Sequence, residues 1–171
     1  MAEIKVLTGA NVYINGGSRI GQVDTFESPS IVQKTMEYAG LGLTGAQDIP
    51  IGPDKMEATL KFAGMYGDTL KLVSDPHKKH DYMLRGNIDV VGSDGRTEQK
   101  PYKAEMKAYN LELKPGSIKR GDESAPEVKL GVRFYRLEID GEEIVKIDLD
   151  NHIYAVAGED KMGGYRGNLG I

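Results

Sequence analysis

The chain has 171 residues, with 26 acids against 22 bases for a net charge of −4, and neither cysteine nor tryptophan. That length suits one domain, or a domain with arms, burying about 70% of its unfolded surface. The missing cysteines exclude a disulfide framework and thiolate metal sites, and no basic run is dense enough to hold phosphates tightly, since each neutralised phosphate needs its own cation. Apolar residues make up only 39% of the chain, so a modest core is expected in a domain that gains further burial by self-association. The opening residues lack the charged start and apolar stretch of a signal peptide. No apolar run approaches the ~20 residues of a membrane span, and the expectation is a soluble protein made in the cytoplasm.

In chain order, residues 12–14 and 20–23 flank Asn15-Gly16-Gly17, a hairpin signal in which glycine supplies positive φ without steric cost. Residues 31–38 alternate weakly. Residues 40–54 carry Gly40, Gly42, Gly45, Pro50, Gly52 and Pro53 and read as a long loop, of the length that is usually functional or docked. Leu41, Leu43, Ile49 and Ile51 would be poorly placed in solvent there, so they are expected to dock on a partner. Met56, Ala58, Leu60 and Phe62 alternate with Glu57, Thr59 and Lys61, the cleanest period-two pattern in the chain. Tyr66, Leu70 and Val73, with Asp68 near the start, predict two turns of amphipathic helix ending before Pro76.

Residues 82–91 read as a strand with a bulge or bend at Gly86, followed by a turn at Ser93-Asp94-Gly95. From 103 to 113 comes a long strand whose Ala104, Met106 and Ala108 share a face before a register shift at Tyr109; residues 114–126 form a second loop. Val128, Leu130, Val132 and Phe134 alternate, and then Tyr135, Leu137 and Ile139 take the other parity. Such a switch marks a bulge, or a strand that leaves one sheet for another. Asp140-Gly141 between two alternating runs is a hairpin with a primed turn. The pattern predicts a mostly β protein, a β-sandwich or flattened barrel with one short helix on an edge or rim.

Chemistry finds little support. His77 and His80 are spaced i, i+3, but they sit beside Pro76 with no third ligand at a recognisable spacing; a solvated helix C-terminus explains them better. His152 lies near Asp148 and Asp150, and Ser117 and Ser124 occupy loops, without any Gly-x-Ser-x-Gly element. The stretch from Gly64 to Lys71 precedes a helix but lacks the Gly-Lys-Ser/Thr ending of a phosphate loop. A carbohydrate-binding sandwich would cluster exposed aromatics, whereas the tyrosines here are scattered. No catalytic residue, cofactor or metal is expected.

The run from Phe134 to Ile171 carries Tyr135, Leu137, Glu138, Ile139, Asp140, Gly141, Glu143, Ile144, Ile147 and Asp148, then Asn151, Gly158, Asp160, Arg166, Leu169 and Gly170. In these residues the chain resembles the major tail tube proteins of contractile-tailed bacteriophages and phage-tail-like bacteriocins. The resemblance extends to Asn11-Val-Tyr-Ile-Asn-Gly with Gly21 and Val23, Tyr38-Ala-Gly-Leu-Gly-Leu, Ile49-Pro-Ile-Gly, Lys55-Met-Glu and Arg85-Gly86, in order along nearly the whole length. Leu149 and His152 depart from the proline and glycine usual in that pattern, which leaves the turn after the last hairpin open.

The resemblance implies a single tube domain over 1–171, with 40–54 and 158–171 as arms reaching adjacent rings. Sixfold rings would stack inside a sheath, each ring one closed barrel built from strands at 31–38, 56–62, 103–113 and 128–137. It implies inter-ring or subunit contacts at Leu41, Leu43, Ile49, Ile51, Arg166 and Leu169, and a lumen lined by Glu37, Glu57, Thr59 and Lys61. Expected partners are further copies of the chain, the tail sheath protein, baseplate or initiator proteins and a tail terminator, with DNA passing through unbound on its way into the host. The expected location is the virion tail, assembled in the host cytoplasm. The alternative implied is the tube of a DNA-free bacteriocin or related secretion system.

Overall fold

The computed structural model describes residues 3–121 and 125–171; Ser124 and its neighbours in the predicted loop lie outside the described residues. Strand β1 (Ile4–Ile14) turns through Asn15 and Gly16, at φ 49° and 81°, into the two-residue β2 (Gly17–Ser18). Two successive left-handed residues are what a type I′ turn demands. The return arm is shorter than the sequence suggested. Gln22 N–H closes a turn onto Arg19 C=O at 3.0 Å, and the chain leaves β1 to form β3 (Val23–Glu27), which pairs with β6 (Met56–Phe62).

Between them, β4 (Gln33–Tyr38) and β5 (Gln47–Pro53) form a separate two-stranded sheet. The predicted loop 40–54 is therefore corrected: only residues 39–46 are the turn, and Ile49 and Ile51 stand on a strand. Pro50 and Pro53 read as breakers, but a strand with one unpaired edge tolerates residues that cannot donate there.

After the short helix α1 (Gly67–Val73) come β7 (Lys79–Gly92), β8 (Gly95–Lys114), β9 (Glu127–Ile139), β10 (Glu142–Asp148), β11 (Ile153–Val156), β12 (Glu159–Asp160) and a second helix, α2 (Gly163–Leu169). The single predicted helix is thus two; α2 escapes the sequence pattern because none of its residues is buried. The main sheet runs β12-β11-β10-β9-β8-β7-β1-β2 in antiparallel order, with β6 branching from β9 and β3 from β6. The path is open at both ends. The chain is mostly β, as its alternating runs predicted.

The parity switch in β9 has a direct cause. One edge of β9 pairs with β8 throughout, while the other pairs with β6 up to Val132 and with β10 from Phe134 onwards. Arg133 is the extra residue between the two registers. The Asp140-Gly141 turn that follows has φ 57° and 78°, again type I′.

Two details shift. In β8 the buried parity runs on through Asn110, and the irregularity falls between Asn110 and Glu112 rather than at Tyr109. Gly86 is in register with both neighbours, facing Ala10 in β1, and the bulge lies further along β1, between Leu7 and Gly9, opposite Ile88 and Asn87. A Cβ on Gly86 would meet Leu7 Cδ1 at 2.7 Å and Gly9 O at 3.1 Å, so glycine is there for close approach. The core gathers one face of β6 with residues from β1, β7, β8, β9, β10 and Val73 of α1.

Candidate assembly surface

The β4–β5 hairpin is the feature a monomer explains least. It pairs only with itself, and every residue of β4 is exposed. Register puts Met36 across from Ile49 and Glu37 across from Asp48. Alternation therefore gives one apolar face with Met36, Tyr38 and Ile49, and one acidic face on which like charges oppose each other and repel. Leu41 at the turn is fully exposed, and Leu43, Ile49 and Ile51 are each at least 40% exposed. An isolated two-stranded hairpin is marginally stable in water, and this one leaves its apolar face in solvent. At its base, Ile51, Gly52 and Pro53 face Leu149, Tyr154 and Met162 across a groove of 250 Å³.

The two predicted tail residues separate. Arg166 donates to His152 C=O at 2.8 Å and ion-pairs with Asp160, whose carboxylate also accepts from Met162 N–H at 2.9 Å. Arg166, followed by that backbone bond, holds the Asp160 carboxyl below its usual pKa. Arg166 is engaged within its own chain and fixes the tail, whereas Leu169 stays exposed. The turn left open by the sequence is held by Asp148, which accepts from the N–H groups of Asp150 and Asn151, both at 3.1 Å, and from Asn151 Nδ2 at 2.6 Å. His152 then takes φ 53°.

On the polar face of β6, Glu57 ion-pairs with Lys129 of β9 at 2.9 Å and with Lys55 at 3.0 Å, and the two lysines lower its carboxyl pKa, Lys129 foremost. Thr59 is half-buried and Lys61 exposed. Lys114 pairs with Glu127 at 3.3 Å on the neighbouring strands. Further along, Arg136 joins Glu105 (3.5 Å), Glu143 (2.9 Å) and Glu138, while Lys103 meets Glu105 at 2.6 Å. Exposed pairs of this kind contribute little stability, but they leave these cations occupied. Glu37, grouped with Glu57 by the sequence, stands on the hairpin, outside this sheet.

The histidines do not converge. His77 is exposed in a turn; His80 points into the fold from β7, 1% exposed, with Nδ1 2.9 Å from Asn15 Nδ2. Asn15 Oδ1 also accepts from Asp81 N–H at 3.0 Å, so the cluster braces the first hairpin. This corrects the reading of His80 as a solvated helix end. No group of three or more His, Cys, Asp or Glu residues able to hold a metal occurs among the described residues. Ser117 and His152 are both exposed, one in the 115–121 segment and one after β10. Sequence reasoning missed Asn110, which accepts from the Tyr82 hydroxyl at 2.6 Å and donates to Val73 C=O at 2.6 Å, tying α1 to the sheet. Its only signal was its place in the even-numbered run of β8.

The described residues thus present an open β sheet, a self-paired hairpin with an apolar face and a polar face crossed by closed ion pairs. The profile of the family described as phage tail tube protein FII matches residues 4–170, and the chain belongs to that family. It is 26% identical over 180 residues to the tail tube protein of Escherichia phage P2, covering all of both chains. Over 156 residues it is 26% identical to the major tail tube protein of Serratia phage KSP20, covering 90% of this chain and 88% of that one. Among solved structures it shares the fold of a chain in the extended sheath–tube complex of the extracellular contractile injection system PVC. There the TM-score is 0.53 at 16% identity, over 75% of this chain and 87% of that one. Phage tail tube proteins are structural components of the virion tail.

Proposed function

We propose that this chain forms sixfold rings that stack into the hollow inner tube of a contractile tail, through which DNA leaves the particle. The observation that carries the reading is the exposed apolar hairpin of β4 and β5 in a chain of the tail tube family. Pairing of open strand edges between neighbours would close each ring into one barrel, removing edges that otherwise aggregate. Head-to-tail contacts, which generate a filament rather than a closed object, would use Leu41, Leu43, Ile49, Ile51 and Leu169, with Arg166 holding the tail that presents Leu169.

The polar face of β6, with Glu57, Thr59 and Lys61, is the proposed lumen lining. Its support is electrostatic: Lys55 and Lys129 are already paired with Glu57, so a passing polyanion finds few free cations to bind, and tight salt-dependent retention is avoided. Sheath, baseplate and terminator proteins are the proposed partners, and the virion assembled in the host cytoplasm the proposed setting. Negative-stain microscopy with sedimentation at rising concentration, with and without baseplate initiator, tests the reading. Hollow tubes of uniform width are expected. A monodisperse monomer under both conditions refutes it.

A further inference from the structure

We infer that His80 and Asn15 form an acid-released latch on the β1–β2 turn, a property of the single subunit that does not depend on its assembly. Asn15 stands in the turn at φ 49°, and its side chain meets two groups of β7. Its Oδ1 accepts from Asp81 N–H at 3.0 Å, and its Nδ2 lies 2.9 Å from His80 Nδ1. A backbone N–H can only donate, so it fixes the orientation of the amide and leaves Nδ2 to donate to the ring. Nδ1 is therefore the acceptor, and the neutral ring carries its proton on Nε2. That Nε2 is buried and has no partner among the described residues.

A second proton breaks this arrangement. It makes both ring nitrogens donors, so Nδ1–H faces Asn15 Nδ2, donor against donor, and Nε2–H still lacks an acceptor. Turning the Asn15 amide over gives Nδ1–H an oxygen but sets Nδ2 against Asp81 N–H. No orientation serves both neighbours, and a buried charge without acceptors is costly to hold. Burial foremost, then Lys78, resists the second proton, while Asp75 and Asp81 pull the other way. Lys79 is turned to Asp150, and β8 sets the uncharged Ala108 opposite His80.

The wall that yields is the turn. Ala108 and Tyr82 beside the ring belong to the core, whereas Asn15, Gly16, Gly17 and Ser18 are all exposed. β2 is joined to β1 by two residue pairs, Tyr13 with Ser18 and Ile14 with Gly17. Asn15 N–H to Asp81 C=O and Arg19 N–H to Val12 C=O, both 2.8 Å, complete the backbone fastening. The far end is pinned more firmly. The Gln22 carbonyl accepts from Ala63 N–H at 2.9 Å, its Oε1 accepts from the Thr69 hydroxyl at 2.8 Å, and the Gly21 carbonyl accepts from the Tyr66 hydroxyl at 3.3 Å. Protonation of His80 thus frees residues 15–20 as a flap between fixed ends at Ile14 and Gly21, while the core strands stay closed.

The test is a pH titration of the dilute, isotopically labelled full chain by nuclear magnetic resonance. At about pH 8 the ring should show a protonated Nε2 and a bare Nδ1. As pH falls through the midpoint of the His80 titration, amide protection at Asn15 and Arg19, corrected for the intrinsic effect of pH, should fall about tenfold or more. Protection at Leu60 and Met106 should change less than about twofold. Asn15→Asp, checked for wild-type circular dichroism, supplies a carboxylate that accepts from both the imidazolium and Asp81 N–H. It should raise the His80 midpoint by about one pH unit or more and keep the flap closed in acid. A wild-type ring protonated on Nδ1 at about pH 8 overturns the latch. So does protection at Asn15 and Arg19 that holds in acid, or that is lost equally at Leu60 and Met106, and so does an Asn15→Asp chain that opens like wild type. Should Asn15→Asp fail to fold, the wild-type ring and exchange measurements decide alone.

Discussion

Asn110 offers the sharpest quantitative test of the fold. Its side chain is 5% exposed and makes two short bonds, from the Tyr82 hydroxyl and to the Val73 carbonyl, each 2.6 Å. Asn110→Ala leaves both of those groups buried without partners, at about 1–3 kcal/mol each. The expected loss is thus about 2–6 kcal/mol, centred near 4 kcal/mol. For a domain of this size each kcal/mol lowers Tm by about 2–4 °C, so a fall of about 8–16 °C follows. Urea unfolding of dilute, unassembled protein should show a lower midpoint at an unchanged slope. Tyr82→Phe orphans only the Asn110 oxygen and should cost about 1–3 kcal/mol. The double variant should cost less than the sum of the singles, because the stranded hydroxyl is gone. A loss below about 1 kcal/mol for Asn110→Ala would refute the claim that this amide ties α1 to the sheet.

His80 predicts a pH dependence. Burial foremost, then the charge of Lys78, lowers its pKa from 6.5, against the opposing pull of Asp75 and Asp81. The folded state thus favours the neutral ring. Stability should be full above about pH 6.5 and fall as pH drops through that value, where the unfolded chain binds a proton that the folded one refuses. His80→Gln should flatten this slope between about pH 7 and 5 in thermal melts; an equal slope in both proteins would exclude His80 as its source. Gly86→Ala should destabilise by about 1 kcal/mol, because the new Cβ crowds the Gly9 carbonyl at 3.1 Å while the exposed end of Leu7 swings aside, with wild-type stability as the contrary result. Leu41→Ser with Leu43→Ser should keep stability within about 0.5 kcal/mol and abolish tube formation in sedimentation; tubes from this variant would remove the turn from the contact.

What the sequence revealed follows what each residue experiences within a single chain. The alternation of β6, the Asp140-Gly141 turn and the parity switch of β9 were legible because burial or backbone geometry fixes them locally. The strand β5 was hidden by Pro50 and Pro53, which break central strands but not edges. The first half of β1 was hidden because its residues are exposed and held by pairing to β7 alone. Asn110 was hidden because a buried amide looks like a surface one until its partners are seen. The candidate site was half legible. Leu41, Leu43, Ile49 and Ile51 were expected to need cover, and they are exposed. Glu37 was grouped with Glu57 by parity alone, which says nothing about which sheet a strand joins.

The two edges of β9 have a mechanical consequence. Its bonds to β8 run the length of one side, and those to β6 and then β10 share the other. A pull along β9 loads all these bonds together, in shear, so none can yield before the rest. The β4–β5 hairpin, fastened by one ladder and loaded across it, would instead unzip bond by bond. The subunit thus combines a stiff rib with a pliant latch, and force applied to an undocked hairpin would open the latch long before it reached the rib.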